Sequence, residues 1–144
     1  MEEFIHIRSG RLPISEGEDQ ELVNEGMYGK ALGQYLRSKL EGFGYECSEP
    51  FCEDWGWAMY ASCNGISTMI CIYSDPTQEE PTDYACTADG PKRRWGWRRF
   101  RFVNSEPPKV WYQAFQERLL SVFREDPDVE VVGVTKEFPI GLTV

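Results

Sequence analysis

Trp57-Ala58-Met59-Tyr60-Ala61-Ser62-Cys63-Asn64-Gly65-Ile66-Ser67-Thr68-Met69-Ile70-Cys71-Ile72-Tyr73 is the stretch that decides the fold. Two runs of apolar and β-favouring residues flank Asn64-Gly65. Asn and Gly both tolerate the positive φ that a two-residue hairpin turn demands. The stretch therefore predicts an antiparallel hairpin near the middle of the chain.

Outward from it, the periodicity changes. Tyr28, Ala31, Leu32, Tyr35, Leu36, Leu40 and Phe43 recur at steps of three and four, which predicts a helix over 27–43 with an aromatic and aliphatic core stripe. Gly42 and Gly44 supply its stop. Pro107-Pro108 and Asp126-Pro127 bracket a second amphipathic helix over 110–124. Phe4–Arg8, Thr82–Ala88, Trp95–Val103 and Val129–Thr135 read as further strands. Tyr45–Cys52 reads as an extended segment that Pro50 confines to an edge or a strand end. Two apolar helix stripes need a sheet to cover. The expected fold is α+β, a single domain over 1–144. It has one antiparallel sheet of about five to six strands and both helices mainly on one face.

Composition narrows the function classes. The chain has 144 residues, 41% hydrophobic and 14% aromatic, with a formal net charge of −9. This length suits one core without staples. The acidity disfavours nucleic acid and anionic membrane as partners of the whole molecule. The first 25 residues hold no apolar signal-like core, and the longest mainly apolar run, 66–73, is too short for a bilayer. A cytoplasmic location is expected. Five cysteines, with no CxxC and one distant histidine, read as free thiols rather than a disulfide framework or a zinc site. No metal and no cofactor is expected. His6 reads as a surface or edge residue, and the acidic loop over 9–26 reads as a solvated connection or an anionic surface.

Three features carry the functional candidates. The first is Glu53-Asp54-Trp55-Gly56-Trp57. A strand beginning at Trp55 puts Trp55 and Trp57 on one face, as a core anchor or as the wall of a pocket with Glu53 or Asp54 at its rim. The second is Lys92-Arg93-Arg94-Trp95-Gly96-Trp97-Arg98-Arg99-Phe100-Arg101, with six cations and no acid, which leaves −15 on the rest of a chain of net −9. Arg94, Trp95, Trp97 and Arg98 suit a protein contact, pairing with the acidic loops, or stacking on single-stranded nucleic acid. The third is the echo of Trp-Gly-Trp at 55–57 and 95–97, which suggests neighbouring strands with the acids beside the arginines. No nucleophile elbow, phosphate-binding loop, dinucleotide fingerprint or zinc-protease motif is present, so no catalytic residue is assigned.

Arg11-Leu12-Pro13, Tyr28-Gly29-Lys30-x-Leu32, Gly44-Tyr45, Glu49-Pro50 and Glu53–Trp57 together resemble a family of small uncharacterised bacterial proteins. Its members share a central helix, the acid-acid-Trp-Gly-Trp string and a few strands. The likeness spans residues 8–135; the basic stretch at 92–101 is not part of it. It implies a stand-alone bacterial cytosolic domain and carries no activity, hence no catalytic residue.

The expected function is non-enzymatic protein binding, of an immunity or inhibitor type. A second reading is a small-ligand binder or carboxylate-based enzyme, its pocket walled by Trp55, Trp57, Trp95 and Trp97 beside Glu53 and Asp54. A third is a single-strand binder through 92–101.

Overall fold

The structure is a computed structural model that describes residues 3–88 and 109–140. The described elements are β1 (Phe4–Arg8), a 3-10 turn (Glu18–Gln20), α1 (Lys30–Glu41), β2 (Glu46–Cys47), β3 (Phe51–Glu53), β4 (Gly56–Cys63), β5 (Ile66–Ser74), β6 (Asp83–Thr87), α2 (Lys109–Arg124) and β7 (Glu130–Thr135). The expected strand over 95–103 lies outside the described residues.

One antiparallel sheet of seven strands runs β2-β4-β5-β6-β1-β7, with β3 also on β4. Its axis is the predicted hairpin: Trp57 pairs with Ile72 and Cys63 with Ile66. Asn64 and Gly65 take the turn at φ 54° and 80°, the positive values that the Asn-Gly dipeptide announces. The sheet exceeds five to six strands because the extended segment over 45–52 is two strands. Ser48 breaks it, accepting the Tyr60 N–H on its hydroxyl at 2.9 Å, and buried Pro50 follows.

The two faces of the sheet differ. Ile5, Ile7, Trp57, Met59, Ile70, Ile72, Tyr84 and Cys86 form one core with Leu32, Leu36 and Leu40 of α1 and Phe115, Leu119, Val122 and Phe123 of α2. Both helices therefore cover the same face. On the other face Ala58, Tyr60, Met69 and Cys71 pack with Phe51, Trp55 and Tyr73. Phe4, Tyr73 and Phe138 meet edge-on there, with centroids 5.0–6.1 Å apart.

Several expectations need adjustment. The first helix starts at Lys30, because its N-cap residue Gly29 is outside the helical region, at φ 165° and ψ 0°. Of its stripe, Leu32, Leu36 and Leu40 are core, whereas Phe43 is 46% exposed and lies under the Arg118 guanidinium at 4.1 Å. His6 is not at an edge. Its strand sits between β6 and β7, and its half-buried imidazole meets Asp83 at 3.4 Å.

Candidate functional site

The Glu53–Trp57 string is a tight hairpin turn that enters β4 at Gly56, one residue after Trp55. Glu53 pairs with Gly56 across the two-residue turn Asp54-Trp55. Gly56 is obligatory: a Cβ there would lie 2.4 Å from the Ile72 carbonyl oxygen, at φ +155°.

This turn overturns the expectation that Trp55 and Trp57 share a face. The alternation that would pair them applies only within a strand, and Trp55 is in the turn. Trp57 points into the helix-covered core with no exposure. Its Nε1–H donates to the Met27 carbonyl at 2.9 Å, and the Lys30 ammonium sits 6.0 Å from its ring centre. Gly29 lets the chain pass this close, since a Cβ there would meet Trp57 Cδ1 at 3.2 Å and Ile72 Cγ2 at 2.9 Å. Trp55, half-buried, lies on the opposite face against Tyr73, with centroids 5.4 Å apart. The two indoles cannot wall one pocket. Arg94, Trp95, Trp97 and Arg98, and with them the proposed echo between the two Trp-Gly-Trp strings, lie outside the described residues.

The acidic loop is the part that sequence reasoning understood least. Glu18, in the middle of it, is 1% exposed. Its carboxylate accepts the N–H groups of Ser15 at 2.8 Å, Gly29 at 2.9 Å and Lys30 at 3.0 Å. It thus caps the N-terminus of α1 from outside the helix, where no local side chain does so. The capping-box signature cannot reveal it, because the acid lies 12 residues before the helix it caps. Tyr84 adds a second tie, donating to the Leu12 carbonyl at 2.8 Å. The loop is a strap fastened at both ends.

What the strap leaves outside is a rim of carboxylates at one end of the sheet. Asp19, Glu21 and Glu25 are exposed on the strap itself. Asn24 donates to the Asp54 carbonyl at 2.5 Å and so brings the strap beside Glu53 and Asp54. Ser74 donates to the Gly26 carbonyl at 3.5 Å, which adds the loop carrying Asp75, Glu79 and Glu80. The cations that reach this end among the described residues are already paired: Arg8 with Asp83 at 2.7 Å, Arg11 with Asp128 at 3.6 Å and Lys30 with Glu21 at 2.5 Å. Tyr28 registers the field. Its hydroxyl donates to Asp19 at 2.5 Å, and that bond, burial and the charges of Asp19, Glu18 and Glu25 push its pKa up to about 12.

Three of the five free thiols sit where burial raises them. Burial pushes the Cys47 thiol up to about 11 and the Cys86 thiol up to about 12, and raises Cys52 as well. These thiols stay protonated and are poor nucleophiles. A pocket of about 400 Å³ lies at the other end of the sheet, around the Asn64-Gly65 turn, lined by Gly44, Glu46, Ser62 and Cys63. It contains no tryptophan. Among the described residues no group of three or more His, Cys, Asp or Glu could hold a metal ion, and no helix is long and apolar enough to cross a membrane.

Comparison with known protein families, characterised proteins and solved structures finds no match to this chain.

Proposed function

We propose that the chain is a non-enzymatic protein-binding domain, of an immunity or inhibitor type, whose acidic rim docks on a cationic surface of another protein. The observation that carries the proposal is the convergence of three separate segments (19–25, 53–54 and 75–80) on one end of the sheet, where the cations Arg8, Arg11 and Lys30 among the described residues are already paired. Like charges gathered on one surface repel one another and weaken the fold. A cationic partner would relieve that repulsion and be steered to the rim from a distance. The domain is proposed to act in the cytoplasm, in line with its free thiols at 47, 52, 63, 71 and 86.

The test is affinity capture from an extract of the source cells at low ionic strength. The wild-type chain and an E21K/E25K/D54K/E79K variant serve as paired baits. A protein retained by the wild type and lost by the variant is the expected result. A retained protein indifferent to the four reversals would move the binding surface elsewhere. Retention of nothing by either bait would remove the proposal.

A further inference from the structure

We infer that the outer edge of β7 pairs with the same edge of a second copy of this chain, antiparallel and about a twofold axis through Gly133. Among the described residues β7 ends the sheet order, with β1 alone as its ladder partner. A strand in that position presents a row of backbone donors and acceptors on its open side. Its side chains favour a partner as well. Val132 and Val134 are 40% and 37% exposed. Val132 is also the extra residue of a bulge: Gly133 pairs with His6 and Val131 with Ile7, so Val132 has no counterpart on β1.

The strand is complementary to itself in one register. Antiparallel pairing centred on Gly133 sets Val132 against Val134 twice and Val131 against Thr135 twice. It sets Glu130 of each copy against Lys136 of the other. Glu130 is 65% exposed at its side chain and forms a 3.9 Å ion pair with Arg8. Lys136 lies in the bend that directly follows β7, is exposed, and has no ion pair among the described residues. On the axis itself, a Cβ added at Gly133 would have no atom of the described residues within 4 Å. A slip by one residue would set Glu130 against Thr135 or Glu137 and lose the charge match. The second copy is thus specified by charge and by pattern, whereas the acidic rim repels another copy of itself. The inference does not rest on the proposed function, because the rim and β7 share no residue.

The test uses the full chain. Sedimentation velocity over a range of concentrations reads self-association. The expected result is a concentration-dependent dimer that E130K or K136E weakens by about tenfold, since each reversal turns two symmetric attractions into repulsions. The E130K/K136E exchange should recover it to within about twofold. Gly133→Cys should give a disulfide-linked dimer under mild oxidation that the identically treated wild type does not give. Val134→Lys, with an unchanged thermal melt to show that it is folded, should be monomeric. A wild-type chain that stays monomeric at all concentrations, with no link through G133C, would overturn the inference. So would a dimer indifferent to E130K and V134K, or a foreign strand on β7 while the chain alone is monomeric.

Discussion

Glu18 and Glu25 lie in one loop and carry the same charge, yet they have opposite roles. Glu18 is buried and meets three backbone N–H groups. Glu25 is exposed, beside other carboxylates on the rim. A carboxylate is stable in the interior only where donors replace its water. The strap therefore has an inner, structural layer around Glu18 and Trp57, and an outer layer of exposed charges, of which Glu21 meets Lys30 and Asp19 accepts the Tyr28 hydroxyl. Substitutions in the inner layer should cost stability and those in the outer layer should cost binding.

The largest effect is expected at Trp57. Trp57→Ala removes a fully buried indole and the bond that holds the strap at Met27, and should destabilise the chain by about 3–5 kcal/mol in chemical denaturation. Glu18→Ala should come next, at about 2–4 kcal/mol, because it orphans the first N–H groups of α1. Loss of amide-exchange protection confined to the strap and the first turn of α1 would accompany it. A Glu18→Ala chain as stable as wild type would erase the distinction between the layers.

A smaller effect is expected in acid. Asp83 is held below the usual carboxylate range even though burial raises it, because Arg8, Gln78 and His6 bond to it. Asp126 is lowered by the Asp128 N–H and the Tyr35 hydroxyl. Both are depressed in the folded state. Their contribution is therefore full above the unfolded value and is lost as pH falls from about 4 through the folded values. Tyr35→Phe should flatten that acid limb in a pH series of denaturant melts. An unaltered limb would show that the Tyr35–Asp126 bond does not form in solution.

The sequence carried the hairpin, both helices, the strand Phe4–Arg8 and, to within one residue at its start, the strand Glu130–Thr135, because each rests on a local signal: a turn dipeptide, a period, a bracketing proline. It did not carry the faces of Trp55 and Trp57. A carboxylate, a tryptophan and a glycine between two extended segments fit a strand start as well as a two-residue turn. Only the pairing of Glu53 with Gly56 separates the two, and it reverses the side on which Trp55 lies. Glu18 was hidden for another reason. Among five acids in a loop, nothing local marks the one that tertiary contacts bury. The rim was half legible, as an acidic loop, but its assembly with residues 53–54 and 75–80 depends on Asn24 and Ser74 bridging distant segments.

The smallest expected effect on stability belongs to the rim. E21K/E25K/D54K should change the unfolding free energy by no more than about 0.5 kcal/mol per site, as exposed substitutions do. On this contrast the central claim turns. The direct measurement is the affinity of the captured partner for the wild-type and rim-reversed chains across ionic strength. The predicted result is a wild-type affinity that falls at least about tenfold between low and high salt, and little or no binding by the folded, rim-reversed chain. Equal affinities for both chains, flat with salt, would contradict it.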